Sequence, residues 1–489
     1  MSSFTDIVLD KESNQHLYIQ LYSQLKDLII QDKIKHHTKL PPIRKMADLL
    51  SVNNVTVVNA YKLLEQEGYV YKKIGSGTFV QDISTKKLQN ILMDESVELF
   101  GEENNHLATL NLASTAPTPD LFPINDFKTV LNEVLDRDKG NAFVYQESQG
   151  YHPLRESIRD YIKGYGIETN IENIQIISGA QQGIDILAKS LLDYGDVVFT
   201  ESPTYTGAIA AFKSRSANII QIPIEDDGID IKSLEGKLRS LKPKFVYIMP
   251  VFQNPTGHSY SQEKKRKILD LVEKYDTFIV EDDYLSDLSF FDKSNSTLKA
   301  MDKNNRVIYI KSFSKIFMPG LRLGFMVIPN SIYNEVLSAK HTSDISTSGL
   351  MQRAFDLYLN KGKWQKHIKY MESIYKRRFN VWIDCLEKYI PREITWYTPN
   401  GGLNFWMSLP HGYSSNDLYK LCSKNNILIV PGSVFYADQR DSQFFRISMA
   451  SVHSKDIDKS VKKFADIIRI FLKDSTRKQI PMDMYTPFL

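Results

Sequence analysis

The chain has 489 residues, 42% hydrophobic and 24% charged, a balance that suits a folded protein of two or three domains and argues against a disordered or fibrous chain. A formal net charge of +3 is too mild to point to nucleic acid by itself, and no apolar run approaches the ~20 residues needed to cross a bilayer. The polar start Met-Ser-Ser-Phe-Thr-Asp lacks a basic-then-apolar leader. The two cysteines, Cys385 and Cys422, stand far apart with no CxxC or histidine spacing. Free thiols in a reducing cytoplasm are expected, and no metal site.

Helical periodicity opens the chain. Leu17, Ile19, Leu21, Leu25, Leu28 and Ile29 mark a first amphipathic helix. In Leu40-Pro-Pro-Ile-Arg-Lys-Met-Ala-Asp-Leu-Leu50 the prolines are placed to start a second. Ser51-Val-Asn53 makes a tight turn, with Asn53 as N-cap of a third helix carrying Val55, Val58, Ala60, Tyr61, Leu63 and Leu64. Gly68 ends it, and residues 69–80, punctuated by Gly75 and Gly77, read as a β-hairpin. Helix, turn, helix and wing is how a small domain sets one helix in a major groove. An unrelated helical cap domain fits the periodicity equally well.

Residues 84–109 are polar and mixed and read as a linker, setting residues 1–83 apart from 110–475. Beyond it, short apolar runs at 175–178, 197–199, 245–249, 277–280 and 307–310 alternate with helix-length segments. That alternation is the signature of an α/β fold with a mainly parallel sheet and flanking helices. Runs at 403–406, 427–430 and 444–447 suggest a small α+β subdomain, and residues 476–489 a tail. There is no internal repeat or low-complexity tract.

Within the α/β part, Ser312-Phe-Ser314-Lys315 precedes Arg322 and follows Glu281-Asp282-Asp283-Tyr284 and Asn254-Pro-Thr-Gly257. A lysine beside serines, an arginine two turns on and an aspartate one strand earlier suit pyridoxal phosphate. The lysine can form a Schiff base, the serines and arginine can hold phosphate, and the aspartate can pair with the ring nitrogen. Upstream, Ser178-Gly-Ala-Gln-Gln-Gly183 follows a strand and opens a helix, a ready anion site. Each motif alone is weak; their order along the chain carries the inference.

Both halves resemble known families. Leu40-Pro-x-x-Arg44, then Val-x-x-Ala-Tyr-x-x-Leu and Gly-x-Gly-Thr-Phe-Val80, resemble GntR-type winged helices. The resemblance implies promoter DNA as partner and Arg44, Asn53, Asn54, Val55, Thr56, Asn59, Tyr61, Lys62 and Gly77 as DNA-binding candidates, with Lys45, Lys72 and Lys73 near phosphates. That family usually has Ser-Arg where this chain has Asn53-Asn54, so the operator cannot be borrowed. Residues 110–470 resemble fold-type I, class I aminotransferases. By that resemblance Lys315, Asp282 and Tyr284 are the catalytic set. Lys315 would form the internal aldimine, Asp282 would pair with the ring nitrogen, Asn254 and Tyr284 would bond the ring hydroxyl, and Tyr205 would stack on the ring. Ala180, Gln181, Ser312, Ser314 and Arg322 would serve the phosphate, with Tyr145 lent across a homodimer. Arg446 would clamp a ligand carboxylate.

Fused in this order, the halves resemble the MocR/GabR regulators. That resemblance implies a transcriptional regulator in the cytoplasm, without membrane attachment, sensing an amino compound through an external aldimine at Lys315. Relatives responsive to γ-aminobutyrate carry arginine where this chain has Gly207, which disfavours that effector. A working aminotransferase and a sensor of pyridoxal phosphate itself are the rival readings.

Overall fold

The computed structural model describes residues 16–30, 38–66, 69–73, 77–80, 110–291 and 296–474, with positions 7, 9, 10, 34 and 35. The linker at 84–109, the tail at 476–489, Gly68 and Gly75 lie outside the described residues, as do the side chains of Lys72 and Lys73. The chain divides into two compact units, residues 1–97 and 98–489. Among the described residues no helix is long and apolar enough to cross a membrane.

The described residues of the first unit form three helices and a hairpin. Helix α1 spans Leu17–Ile30, α2 Ile43–Leu50 and α3 Asn54–Gln66. Strands β1 (Val70–Lys73) and β2 (Gly77–Val80) pair antiparallel, Val70 opposite Val80. Pro42 precedes the first residue of α2, and Ser51 in the left-handed region (φ 49°) ends it. The Asn53 side chain then accepts from the Val55 amide at 2.5 Å, capping α3 as expected. Leu21, Leu25, Met46, Val57, Ala60, Leu64, Val70 and Val80 form the core. Two apolar residues of α3 depart from the expected stripe: Val55 is 60% exposed and Val58 41%.

The described part of the second unit begins with the short strand β3 (Leu110–Asn111) and is built on an eight-stranded sheet. The strands of that sheet are β4 (Ile174–Ile177), β5 (Val197–Ser202), β6 (Asn218–Glu225), β7 (Gly228–Ile229), β8 (Phe245–Ile248), β9 (Phe278–Asp283), β10 (Val307–Ser312) and β11 (Gly324–Val327), in the order β4-β11-β10-β9-β8-β5-β6-β7. From β10 to β6 the neighbours are parallel, while β11 runs antiparallel to both β10 and β4. Hence β4, β5, β8, β9 and β10 all end at one edge, where an open α/β sheet presents its ligand site. Most of these strands are buried throughout, as expected when helices cover both faces.

A second, four-stranded sheet is antiparallel, with Asn404–Ser408 and Phe444–Ser448 at its centre and Trp406 opposite Arg446. The run at 427–430 does not form one strand. Ile427–Leu428 pairs with β3, while Val430–Pro431 joins the four-stranded sheet. The break between them lets one short run serve two sheets. Cys385 and Cys422 are both buried free thiols.

Candidate functional site

Strand parity selects between the adjacent acids of β9, because successive side chains leave opposite faces. Asp283 sits opposite Lys311 in register and is engaged by that lysine at 3.0 Å and by the Tyr309 hydroxyl at 2.5 Å. Asp287 holds Lys311 from the other side at 2.8 Å. Burial pushes the Asp283 carboxyl up, but Lys311, Ser286 and Tyr309 outweigh it and hold the group below its ordinary range. Asp283 is thus spent within the fold.

Asp282 leaves the other face of β9. The Tyr247 hydroxyl donates to Asp282 Oδ2 at 2.6 Å. The second oxygen, Oδ1, is enclosed and has no hydrogen-bond partner in the protein. Burial raises the carboxyl to about 7, with Tyr247 pulling it down and Asp283 pushing it up. A buried carboxylate with an orphaned oxygen is costly unless a cationic N–H meets it. The ring nitrogen of pyridoxal phosphate, when protonated, is such a group, so the residues present fit the cofactor.

Ser312, Ala180 and Arg322 lie near the same edge. Ser312 ends β10, and its Oγ accepts from the Ser314 amide at 3.2 Å, one residue before Lys315. The helix Ala180–Leu191 starts where β4 ends. Gly179, at φ +96°, makes the turn between them, and a Cβ there would lie 2.8 Å from Arg322 Nη2. Glycine at 179 therefore lets the guanidinium lie against the helix start, where it donates to Ser178 O at 2.6 Å. Ser312 and Ile177 both face Gly324 in register, so the phosphate candidates Ser312, Ala180 and Arg322 share one corner. Gln181 is turned toward Tyr205, accepting from its hydroxyl at 3.2 Å and donating to Gly207 O at 3.0 Å. A Cβ on Gly207 would fall 2.1 Å from Gln181 Oε1, so this packing leaves no room for a side chain at 207.

Arg446 is buried, donating to Asn254 Oδ1 at 2.8 Å and to Ala113 O at 2.8 Å. Tyr284 gives its proton to Phe252 O at 2.7 Å and accepts from Asn404 Nδ2 at 3.3 Å. To donate to a ring hydroxyl, Tyr284 must turn that proton away from Phe252. Tyr145 is 82% exposed, beside the exposed Phe143 and Val144.

Two parts of this site were not singled out from sequence. Tyr247 sits in an aliphatic run and reads as core; only its register opposite Val280, two residues before Asp282, puts it on the aspartate's face. Glu201 is wholly buried and accepts from Tyr260 at 2.7 Å and from Gln253 at 3.1 Å. Gln253 in turn accepts from Thr256 and so braces the turn that carries Asn254. Burial raises Glu201 to about 7 against those hydrogen bonds.

In the first unit, Arg44, Asn53, Asn54, Val55, Asn59, Lys62 and Gly77 are exposed, and Thr56 is half-buried. Tyr61, expected among the DNA-contacting positions, is a core residue instead. It is 3% exposed, and its hydroxyl donates to Pro41 O at 2.9 Å. It packs into the core with Val57, Ala60 and Leu64.

Comparison with known proteins agrees with this geometry. Residues 109–464 match the family "Aminotransferase class I and II", and residues 17–80 match "Bacterial regulatory proteins, gntR family". The chain is 30% identical to Aromatic-amino-acid aminotransferase 1 of Thermococcus litoralis over 370 residues, 74% of this chain and 89% of the relative. It is 26% identical to the probable rhizopine catabolism regulatory protein MocR of Rhizobium meliloti over 98% of this chain and 99% of that one. Among solved structures, the kynurenine aminotransferase of Pyrococcus horikoshii, crystallised in complex with PMP, superposes with a TM-score of 0.73 at 33% identity, over 78% of this chain and 95% of its own. A gntR-type helix-turn-helix domain joined to a pyridoxal-phosphate-dependent class I and II aminotransferase domain places this chain in the MocR/GabR family.

Proposed function

We propose that the protein is a transcriptional regulator that reads promoter DNA through α3 and the hairpin and senses a carboxylate-bearing amino compound at Lys315. The observation that carries this reading is the joining, in one chain, of a DNA-reading unit to a site whose Asp282 keeps one buried oxygen unpaired. Pyridoxal phosphate, when bound, supplies an aldehyde carbon that condenses with amines and a ring that withdraws electron density. Asp282 would hold the ring nitrogen's proton, and Ser312, Arg322 and the start of the Ala180–Leu191 helix would anchor the phosphate. Arg446, already oriented by Asn254, would take the effector carboxylate as a bidentate pair. An amine that takes Lys315's place can change operator affinity only by favouring one arrangement of the protein over another.

A homodimer fits the run of exposed Phe143, Val144 and Tyr145, a surface suited to a second copy. A regulator of promoters works in the cytoplasm. The test is an anisotropy titration of the protein on the promoter upstream of its own gene, with and without amino acids. No affinity for that DNA, nor for any duplex selected from a random library, would end this reading.

The intact Lys315, Asp282 and Arg446 also support a working aminotransferase. Absorbance changes that cycle when a keto acid is supplied would favour turnover over sensing. A response to the cofactor alone, with no amine, would favour the cofactor-sensor reading.

A further inference from the structure

Four exposed residues of α3 form one continuous stripe. Val55, Val58, Asn59 and Lys62 follow the i, i+3, i+4, i+7 spacing and fall within an arc of about 100°. All four are exposed, while Val57, Ala60, Tyr61 and Leu64 occupy the opposite side and build the core. The stripe therefore carries two outward valines, an amide and a cation, with no acid among them. Arg44 and Lys45, at the start of α2, are exposed as well.

Resting on the regulator reading, we propose that Val55 and Val58 contact thymine methyl groups in the major groove, so that this helix selects consecutive A·T pairs. Among base edges in that groove, the only apolar group is the thymine C5-methyl; every other feature is a hydrogen-bond donor or acceptor. A valine pressed against any other base would desolvate polar atoms without replacing their hydrogen bonds. Two valines one turn apart thus discriminate by attraction to thymine and by the penalty at G·C. Their branched side chains are stiff, so little rotamer freedom is lost on contact. Asn59 lies between them and Lys62 on the same stripe, and its amide matches the N6 and N7 edge of adenine, the partner of thymine. Lys62, farther along the helix, has the reach and charge for a backbone phosphate. The capped start of α3 holds Val55 in place through the Asn53 hydrogen bond.

The test uses the full-length protein loaded with cofactor and a duplex recovered from a random library. That duplex is resynthesised with deoxyuridine for thymidine, one position at a time, which removes a single methyl and leaves every hydrogen bond. Two neighbouring positions should each lose affinity about threefold to fivefold, the worth of one buried methyl group. Val55→Ala and Val58→Ala should each abolish the uridine effect at one of those positions, with unchanged far-ultraviolet circular dichroism and melting temperature. If selected duplexes bind tightly but uridine costs nothing anywhere, the methyl contacts do not exist. Recovered sites that hold only G·C pairs under α3 would exclude those contacts equally. A change in oligomeric mass without a change in DNA affinity on Val58→Ala would assign the stripe to protein docking instead. Failure to recover any duplex overturns the regulator reading itself, a separate result from these.

Discussion

The Tyr247 hydroxyl donates to Asp282 Oδ2 at 2.6 Å, while Asp282 Oδ1 stays enclosed with no protein partner. One oxygen is thereby tied to the fold, while the other has no hydrogen-bond donor from the protein. Both residues are almost wholly buried, so the bond is shielded from water and makes the carboxylate form easier to hold.

Removing that hydroxyl gives the first prediction. Tyr247→Phe leaves the ring in place and deletes one donor to the carboxylate, a loss of about 1–3 kcal/mol for a charged, buried acceptor. Asp282 should then hold its proton to higher pH, and less of the cofactor-free protein would be ready to pair with a protonated ring nitrogen near neutrality. Cofactor affinity, followed by absorbance titration, should drop about tenfold at pH 7 and recover toward wild type at pH 9. Equal affinity at both pH values would mean that Tyr247 does not tune Asp282.

A second prediction concerns the cofactor-free protein alone. The Asp282 carboxyl is raised by burial from an ordinary value near 4 to about 7. The folded state therefore binds a proton that the unfolded chain has already released between those values. For a raised acid the contribution to stability is complete below the unfolded value and is lost as pH climbs through the folded one. Glu201, also raised to about 7 by burial, acts in the same direction. Unfolding free energy from denaturant titration should fall between pH 5 and pH 7.5, with Asp282 accounting for on the order of 2 kcal/mol. Asp282→Asn should flatten that part of the profile. A variant whose slope matches wild type would show that Asp282 does not bind the proton.

The candidate site was proposed from short motifs: Lys315 behind two serines, Asp282 at a strand end, Arg322 after a turn. Strand runs such as 245–249 and 307–310 were also plain, since buried parallel strands are apolar throughout. The features that stayed hidden depended on register. Asp283 is excluded, and Tyr247 included, only once β8, β9 and β10 are aligned. On α3, the outward turn of Val55 and Val58 contradicts the ordinary meaning of valine, and periodicity alone could not separate their stripe from the core stripe of Val57, Ala60, Tyr61 and Leu64. The split of residues 427–430 between two sheets has no local signal, because both partners are distant in sequence.

Ligand capture provides a third prediction. Lys315→Ala should give a protein without the visible absorption of a lysine–cofactor Schiff base, and borohydride should bleach that absorption only in wild type. Arg446→Lys keeps the charge but loses the planar fork that Asn254 now orients. It should keep its cofactor while needing roughly tenfold more of a carboxylate-bearing effector for the same spectral change. A protein that remains colourless with added cofactor would remove the basis for the Lys315 assignment. An effector with no acidic group would remove that for Arg446.

The last prediction separates reading from folding within the first unit. Tyr61 is buried against Pro41 O, and burial pushes its phenol well above the ordinary range, so it cannot reach DNA without unfolding α3. Tyr61→Phe deletes one hydrogen bond and leaves the Pro41 carbonyl short of a donor. The first unit should lose about 1 kcal/mol of stability, seen as a lower melting temperature, while the folded protein binds DNA as tightly as before. Arg44 is exposed and should behave in the opposite way. Arg44→Ala should leave melting and the cofactor spectrum unchanged but weaken operator binding by about 1–3 kcal/mol if the side chain makes a charged hydrogen bond to DNA. The slope of affinity against salt should also become shallower by about one ion, because one phosphate neutraliser has gone. Both variants are measured by anisotropy on the same selected duplex over a range of salt concentrations. Should Tyr61→Phe weaken binding while stability holds, the tyrosine is a DNA contact after all and the core assignment is wrong.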